Sequence, residues 1–290
     1  MIKVNNLIYY LKTKILTHTP QNYRFQSILY LKLLSKIYCL AKNLNPILKI
    51  SREKLREGAL ISINFEDDKR IFVQDFSRCN RFISGYERAL TRIWLQYGLE
   101  NFNRKYKFDI VIDIGANIGE FSLAAVQHGC KKIYAFEPDP TCYVCLVKNS
   151  QNHQKKIKTM NFALSNSNKK TPFYLSGSSA DSSLIKPIDS FNKIYLETHR
   201  LDEIAEIQAL KKIDLLKMDA EGAEPEVLEG CIGVLDRIRS FTIDVGPERK
   251  GKSTYNLVAQ FFLRNEIDYK YIIHGSGRQL IHAGELAKND

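Results

Sequence analysis

The segment Val111-Ile-Asp-Ile-Gly-Ala-Asn-Ile-Gly-Glu-Phe121 constrains this chain more than any other stretch. Val111, Ile112 and Ile114 form a short apolar run suited to a strand covered on both faces. Gly115 and Gly119 then let the backbone turn sharply and approach a ligand, and a helix opens at Glu120. Strand, glycine turn and helix in that order specify a parallel α/β sheet with a ligand at the carboxyl end of its strands. Asp113 is read as a free carboxylate there, one that would repel a pyrophosphate and suit a ligand bearing an ammonium and a sulfonium.

A nicotinamide or flavin fingerprint needs G-x-G-x-x-G, and Asn117 stands where its second glycine belongs. S-adenosylmethionine, which carries both cationic groups, is the better match. Residues 132–138, KIYAFEP, read as the next strand. Glu137 ends it about 20 residues past the turn, where an acidic side chain accepts ribose hydroxyl protons. Asp139 and Pro140 form the N-cap and first turn of the following helix. Residues 213–228, IDLLKMDAEGAEPEVL, give a third buried strand with Asp219 and Glu221 at its carboxyl end and a helix begun through Pro225. These carboxylates are expected to face the same crevice as Asp113.

The set DIGANIGEFSL (113–123), FEPDP (136–140), LDEI (201–204) and IDLLKMDAEGAEPEVLEG (213–230) closely resembles the FkbM family of S-adenosylmethionine-dependent methyltransferases. The resemblance covers roughly residues 108–245. Met218 and Ala220 replace the more usual Ile and Val, both apolar exchanges. It implies a Rossmann-like class I methyltransferase fold, α/β with a mostly parallel seven-stranded sheet flanked by helices. The reaction it implies is O-methylation of a sugar, glycan or polyketide hydroxyl. Asp113, Gly115, Ala116, Asn117, Gly119, Glu120, Phe121, Glu137, Pro138 and Asp219 are then expected to border the cofactor. Asn161 and Phe162 are candidates for the adenine pocket, an amide for the exocyclic amine and a ring for one base face.

An alcohol acceptor must lose its proton, so a carboxylate, an imidazole or a metal is needed near the reacting oxygen. Asp219 is the first candidate, Glu221 the second and His199 the third. Asp219, Glu221 and Asp244 together suit a magnesium-type ion, but nothing fixes a third ligand, and a metal-free site is expected. Two rival readings stay open: a nicotinamide-dependent oxidoreductase or epimerase of a sugar nucleotide, for which no Tyr-x-x-x-Lys or similar relay stands near the expected strand, and a membrane- or partner-binding protein with a degenerate methyltransferase fold.

Charge is unevenly placed. The first 50 residues carry eight Lys or Arg and no Asp or Glu, in a chain whose net charge is +11. Leu7, Ile8, Leu11 and Ile15 share one helical face, as do Phe25, Ile28, Leu29, Leu33, Ile37 and Leu40. Such basic amphipathic helices either lie on an anionic membrane surface or pack on the domain that follows. Nucleic acid is not expected, since no RRM, KH or zinc-finger pattern accompanies the charge. The expected organisation is a basic helical extension over 1–57, a hairpin (59–65 and 70–74) and helix (85–97) over 58–107, and the methyltransferase domain over 108–290. Oligomeric state is not readable.

Six scattered cysteines and no cleavable signal suggest reduced thiols in a cytoplasmic protein, peripheral at the membrane if the N-terminus attaches. Cys142-Tyr-Val-Cys145 falls inside a helix and reads as helix positions, not a metal half-site. Further strands of the main sheet are expected near 158–163, 172–175 and 241–245, with a closing antiparallel pair at 269–274 and 279–282. Ser176 to Ser183 reads as a loop, either a flap over the site or a plain crossing.

Overall fold

In a computed structural model, residues 49–55, 58–65, 68–99, 107–175, 182–186 and 192–288 are described. The basic amphipathic stretch over residues 1–48 lies outside them. The chain divides into two compact units, Met1–Ala89 and Leu90–Asp290. No helix among the described residues is long and apolar enough to cross a membrane.

The first unit holds an antiparallel meander of β1 (Lys49–Leu55), β2 (Gly58–Asn64) and β3 (Arg70–Val73). The β2–β3 hairpin is the expected one, with Ile63 opposite Ile71 and Ser62 opposite Phe72. β1 corrects the expected boundary of the helical extension. Lys49–Leu55 is a strand whose backbone pairs along its whole length with β2, so the expected helical extension does not include residues 49–55.

In the second unit the strands are β4 (Ile110–Ile114), β5 (Lys132–Phe136), β6 (Ile157–Met160), β7 (Ala163–Leu164), β8 (Lys169–Leu175), β9 (Asn192–His199), β10 (Leu215–Met218), β11 (Ser240–Asp244), β12 (Tyr269–Ile273) and β13 (Gln279–Gly284). Seven of them form one sheet in the order β12-β13-β11-β10-β4-β5-β6. β4, β5, β6, β10 and β11 run parallel, and β13 lies antiparallel between β11 and β12. This is the mostly parallel, Rossmann-like class I methyltransferase sheet that the motifs imply. Val111, Ile112, Leu215, Leu216, Phe241 and Ile243 are fully buried, as strands covered on both faces require.

From β4 the chain winds outward through β5 and β6, then returns to lay β10 on the other side of β4. Ligands sit outside the carboxyl ends of parallel strands at such a reversal. The expected helices form at Tyr86–Gln96, Glu120–Gln127, Pro140–Asn149 and Glu224–Glu229, and a further one spans Tyr255–Arg264. Asp139 caps the third of these, accepting from the N–H groups of Thr141 (2.9 Å) and Cys142 (3.2 Å). Cys142 and Cys145 are buried on that helix and form no disulfide among the described residues.

One strand lies elsewhere than expected. Residues 172–175 belong to β8, which pairs not with the main sheet but in a separate three-stranded sheet, β7-β9-β8. Of β8 only Phe173 is buried, and Pro172 has no N–H to donate. β9 alternates exposed Lys193, Tyr195-type positions with more covered ones. Such one-faced strands do not suit a sheet sandwiched between helix layers.

Candidate functional site

The turn after β4 uses three left-handed residues: Gly115 (φ +69°), Asn117 (φ +52°) and Gly119 (φ +90°). A Cβ on Gly115 would stand 1.9 Å from the carbonyl oxygen of Asp219, so this glycine lets the turn press against the end of β10. A Cβ on Gly119 would meet Leu146 at 2.8 Å, which makes it a helix-packing glycine. Close approach at both positions is therefore to the protein itself, where the sequence suggested a ligand. Asn117 tolerates the left-handed region better than most side chains.

Glu137 pins this turn to the end of β5. Its Oε2 accepts from the Asn117 N–H (2.6 Å) and its Oε1 from the Asp139 N–H (2.8 Å). Burial pushes its pKa up to about 8, against the two backbone bonds that favour the charge. In the ionised form each oxygen keeps a second lone pair, enough to accept from a pair of vicinal hydroxyls. Ala116 donates to the Phe136 carbonyl (2.9 Å), which closes the seam between the two strand ends.

Asp113 is not the free carboxylate the sequence suggested. It is fully buried, its Oδ1 lies 3.0 Å from the Lys217 ammonium and its Oδ2 accepts from the Ser122 hydroxyl (2.7 Å). Lys217 in turn donates to the carbonyls of Ile114 (3.2 Å) and Gly115 (2.9 Å). Burial opposes the lysine's charge, but Asp113, Tyr97 and Asp219 outweigh it and raise the pKa. Asp113 thus shapes the turn through Lys217 and neutralises a buried cation.

Asp219 sits at the end of β10. Its Oδ2 accepts from the Tyr97 hydroxyl (2.8 Å) and from Arg278 (2.8 Å), which also pairs with Asp244 at the end of β11. The Arg278 guanidinium lies over the Tyr97 ring, 4.7 Å from its centre. The Tyr97 carbonyl is held by Thr242 (2.9 Å) and His282 (2.8 Å). Burial works against ionisation of Asp219, yet the Arg278 and Lys217 charges prevail and hold it at about 2. Asp244 moves the other way, up to about 6, through burial and the Asp219 charge. Glu248, on the loop after β11, is raised to about 7 by burial and by the Asp244 charge, with Asp219 adding to the effect.

Glu221 follows in the turn at φ +51°. The Ser183 hydroxyl donates to its carbonyl (2.6 Å), and Ser182 donates to Asp139 (2.9 Å), so the end of the 176–183 loop ties two walls of the crevice together. The turn itself is built by Glu224, whose Oε1 accepts from the N–H groups of Ala220 (3.0 Å) and Gly222 (3.1 Å). Burial raises the Glu224 pKa to about 8.

The remaining candidates are dispersed. Asn161 donates from its amide to the Glu137 carbonyl (2.8 Å) beside Pro138, which keeps it at the strand end. Phe162 is half-buried against Phe136 and His199, ring centres 5.6 and 4.3 Å away. His199 ends β9 in the small sheet, apart from the main sheet that carries Asp219, and packs on Phe162. Phe121 does not border the crevice openly. It is buried against Trp94 (stacked, 5.6 Å) and Tyr97 (edge-on, 5.1 Å), because the first turn of its helix faces the core. Glu120 is buried beside it. Among the described residues no group of three His, Cys, Asp or Glu side chains is placed to hold a metal.

The family model described as "Methyltransferase FkbM domain" matches residues 113–271, more than half of the chain. This chain belongs to the FkbM methyltransferase family. It is 26% identical over 159 residues to the hexuronic acid methyltransferase AglP of Haloferax volcanii, covering 55% of this chain and 65% of that protein. It is 30% identical over 185 residues to the methyltransferase sdnD of Sordaria araneosa (49% and 71%) and 24% identical over 202 residues to the 2-O-methyltransferase NoeI of Sinorhizobium fredii (64% and 77%).

The FkbM match includes Asp113, Glu137, Lys217, Asp219, Asp244 and Glu248, but Tyr97 and Arg278, which hold the Asp219 carboxylate, flank it on either side. Sequence reasoning missed both, together with Lys217, Glu224 and Glu248. A lysine inside an otherwise apolar strand is a signal for Lys217, since an ammonium there needs a buried partner. Glu224 also has one: a carboxylate two residues past Gly222 is within reach of the turn's N–H groups.

Proposed function

We propose that this chain is an S-adenosylmethionine-dependent O-methyltransferase acting on a hydroxyl of a sugar, glycan or polyketide-like acceptor. The observation that carries the reading is the pinning of the Gly115 turn between the Glu137 carboxylate and the end of β10, in a member of the FkbM family. The similarity to AglP, a hexuronic acid methyltransferase, supports a sugar acceptor, and that to NoeI, a 2-O-methyltransferase, supports oxygen as the methylated atom.

S-adenosylmethionine, when bound, supplies an electrophilic methyl carbon on a sulfonium. Glu137 accepts the ribose hydroxyl protons with its remaining lone pairs. Asn161 and Phe162 border the adenine. Asp219, held ionised by Tyr97 and Arg278, provides negative charge for the cationic end of the cofactor. It is too weak a base at about 2 to take a proton from an alcohol near neutral pH. Asp244 is tied to Arg278, whereas Glu248 has a buried Oε2 with no hydrogen-bond partner among the described residues and a pKa matched to neutral pH. Glu248 is therefore the group that takes the acceptor's proton.

Calorimetric titration with S-adenosylhomocysteine and, separately, NADH tests the reading. Binding of the first and not the second is expected; NADH binding alone would favour the nicotinamide reading. A screen of glycan, sugar and polyketide hydroxyls with S-adenosylmethionine then identifies the acceptor. Residues 1–50 add a contact with an anionic membrane surface, a reading supported by eight basic and no acidic side chains there. Salt-sensitive co-flotation of the full chain with phosphatidylserine vesicles tests it.

A further inference from the structure

A cavity of about 460 Å³ opens between residues 184–186 and the loop that leads into the helix Tyr255–Arg264. Its lining includes four cationic side chains, Lys186, Arg249, Lys250 and Lys252, with Leu184 and Leu257 as apolar walls. Arg249 is a strut. It makes a two-pronged pair with Glu226 (2.7 and 2.9 Å) and donates to the Gly222 carbonyl (2.7 Å). Lys186, Lys250 and Lys252 make no ion pair with any described carboxylate, so the cavity carries three uncompensated charges.

Both walls are anchored on the turn that follows Asp219. Ser183, next to the 184–186 wall, donates to the Glu221 carbonyl, and Arg249 on the other wall grips Gly222. Lys250, itself left-handed at φ +55°, reverses the chain directly after Glu248. Reciprocal backbone bonds between Arg249 and Lys252 (3.1 and 3.2 Å) close that reversal. One short loop thus carries Glu248 beside Asp244 and, two residues on, the lysines of the cavity.

We propose that this cavity binds an anionic group, a carboxylate or a phosphate, on the acceptor, so that the acceptor is an acidic sugar such as a uronic acid or a sugar phosphate. The inference rests on the methyltransferase reading and narrows its substrate class. Three unpaired ammonium groups in a partly enclosed space favour an anion through charge-assisted hydrogen bonds and a local positive potential that added salt weakens. The apolar walls suit the carbon face of a sugar ring. An acceptor anchored there presents its remaining hydroxyls toward the loop that bears Glu248.

The test is ligand-observed NMR titration of the full chain, with S-adenosylhomocysteine present, against glucuronate, glucose 6-phosphate and neutral glucose. At least one anionic sugar is expected to bind about tenfold or more tightly than glucose, with affinity falling as salt rises. The tighter of the two identifies carboxylate or phosphate as the recognised group. Lys250→Glu and, separately, Lys252→Glu and Lys186→Glu should each abolish that preference while circular dichroism and S-adenosylhomocysteine affinity stay as in the wild type. Equal binding of glucose and the anions, no binding of either anion at millimolar concentration, or a preference that survives all three substitutions would overturn the proposal. Failure to bind S-adenosylhomocysteine overturns the methyltransferase reading instead, so the two failures are distinguishable.

Discussion

Lys217 and Asp113 stand directly opposite one another on neighbouring parallel strands, β10 and β4, with their charged atoms 3.0 Å apart and both side chains almost fully out of solvent. A pair placed this deep is costly to form and far costlier to break, because removal of one partner leaves a bare charge in the interior. Lys217→Met should therefore destabilise the protein by about 3–5 kcal/mol. Guanidinium denaturation checks the value. The double variant Asp113→Asn with Lys217→Met should regain most of the loss, since both charges are then gone.

Gly115 and Gly129 both have positive φ, but only Gly115 is crowded: nothing lies within 4 Å of a Cβ added at Gly129. Gly129→Ala should cost only the backbone term, about 1–2 kcal/mol. Gly115→Ala adds a 1.9 Å clash with Asp219. We expect a larger drop in melting temperature and at least a tenfold loss of S-adenosylhomocysteine affinity, about 1.4 kcal/mol or more, measured by calorimetry. Equal effects of the two substitutions would refute the role given to the turn.

If Glu248 takes the acceptor proton, it must be ionised to act, so kcat/KM should rise with pH through about 7 and level off above it. Glu248→Gln should lower kcat by about 10²–10⁴ and remove that acid limb, with cofactor affinity retained. A variant that keeps the wild-type pH profile would move the role to Glu221.

Stability should respond to pH through the buried carboxyls. Glu224 is raised from 4.5 to about 8, so its protonated form is the one that suits the folded state. Its contribution is fully present below pH 4.5 and is lost as pH rises through about 8. Glu224→Gln keeps an oxygen to accept from Ala220 and Gly222 but cannot ionise. Melting temperatures of the variant should fall less between pH 5 and pH 9 than those of the wild type. Asp219 acts in the opposite sense, since its pKa is lowered from 3.8 to about 2: its contribution is present above pH 3.8 and is lost as pH falls toward 2.

The parts of the site that the sequence discloses are those whose duties are local. Glu137 is read from its spacing to the glycine turn, Asp139 from the proline behind it and Asp219 from its place at a strand end, and each lies where that logic puts it. Asp113 obeys the same positional rule and yet faces the core, because its partner lies more than 100 residues away on a strand whose register no local pattern reports. Tyr97 and Arg278 are likewise invisible until the sheet brings them to Asp219 from 122 and 59 residues away. Glu248 lies in the run Gly246-Pro-Glu-Arg-Lys-Gly-Lys252, which carries no motif that singles out one of its charged residues. The misassignment of residues 172–175 has a simpler cause: the aromatic pair Phe173 and Tyr174 marks a strand, but only its one-sided burial says which sheet it joins.

The lysine that grips the Gly115 carbonyl is made 102 residues after that glycine. At ribosomal rates of roughly 5–20 residues per second, a nascent chain spends about 5–20 s holding the turn without its clamp. During that interval Asp113 has no counter-charge and β4 presents an open edge where β10 will later pair. The first half of the sheet is thus ill suited to an independent existence, and the crevice becomes receptive only after residues 213–219 have emerged and docked. A chain truncated before that point should be found with chaperones or proteases rather than as a folded half.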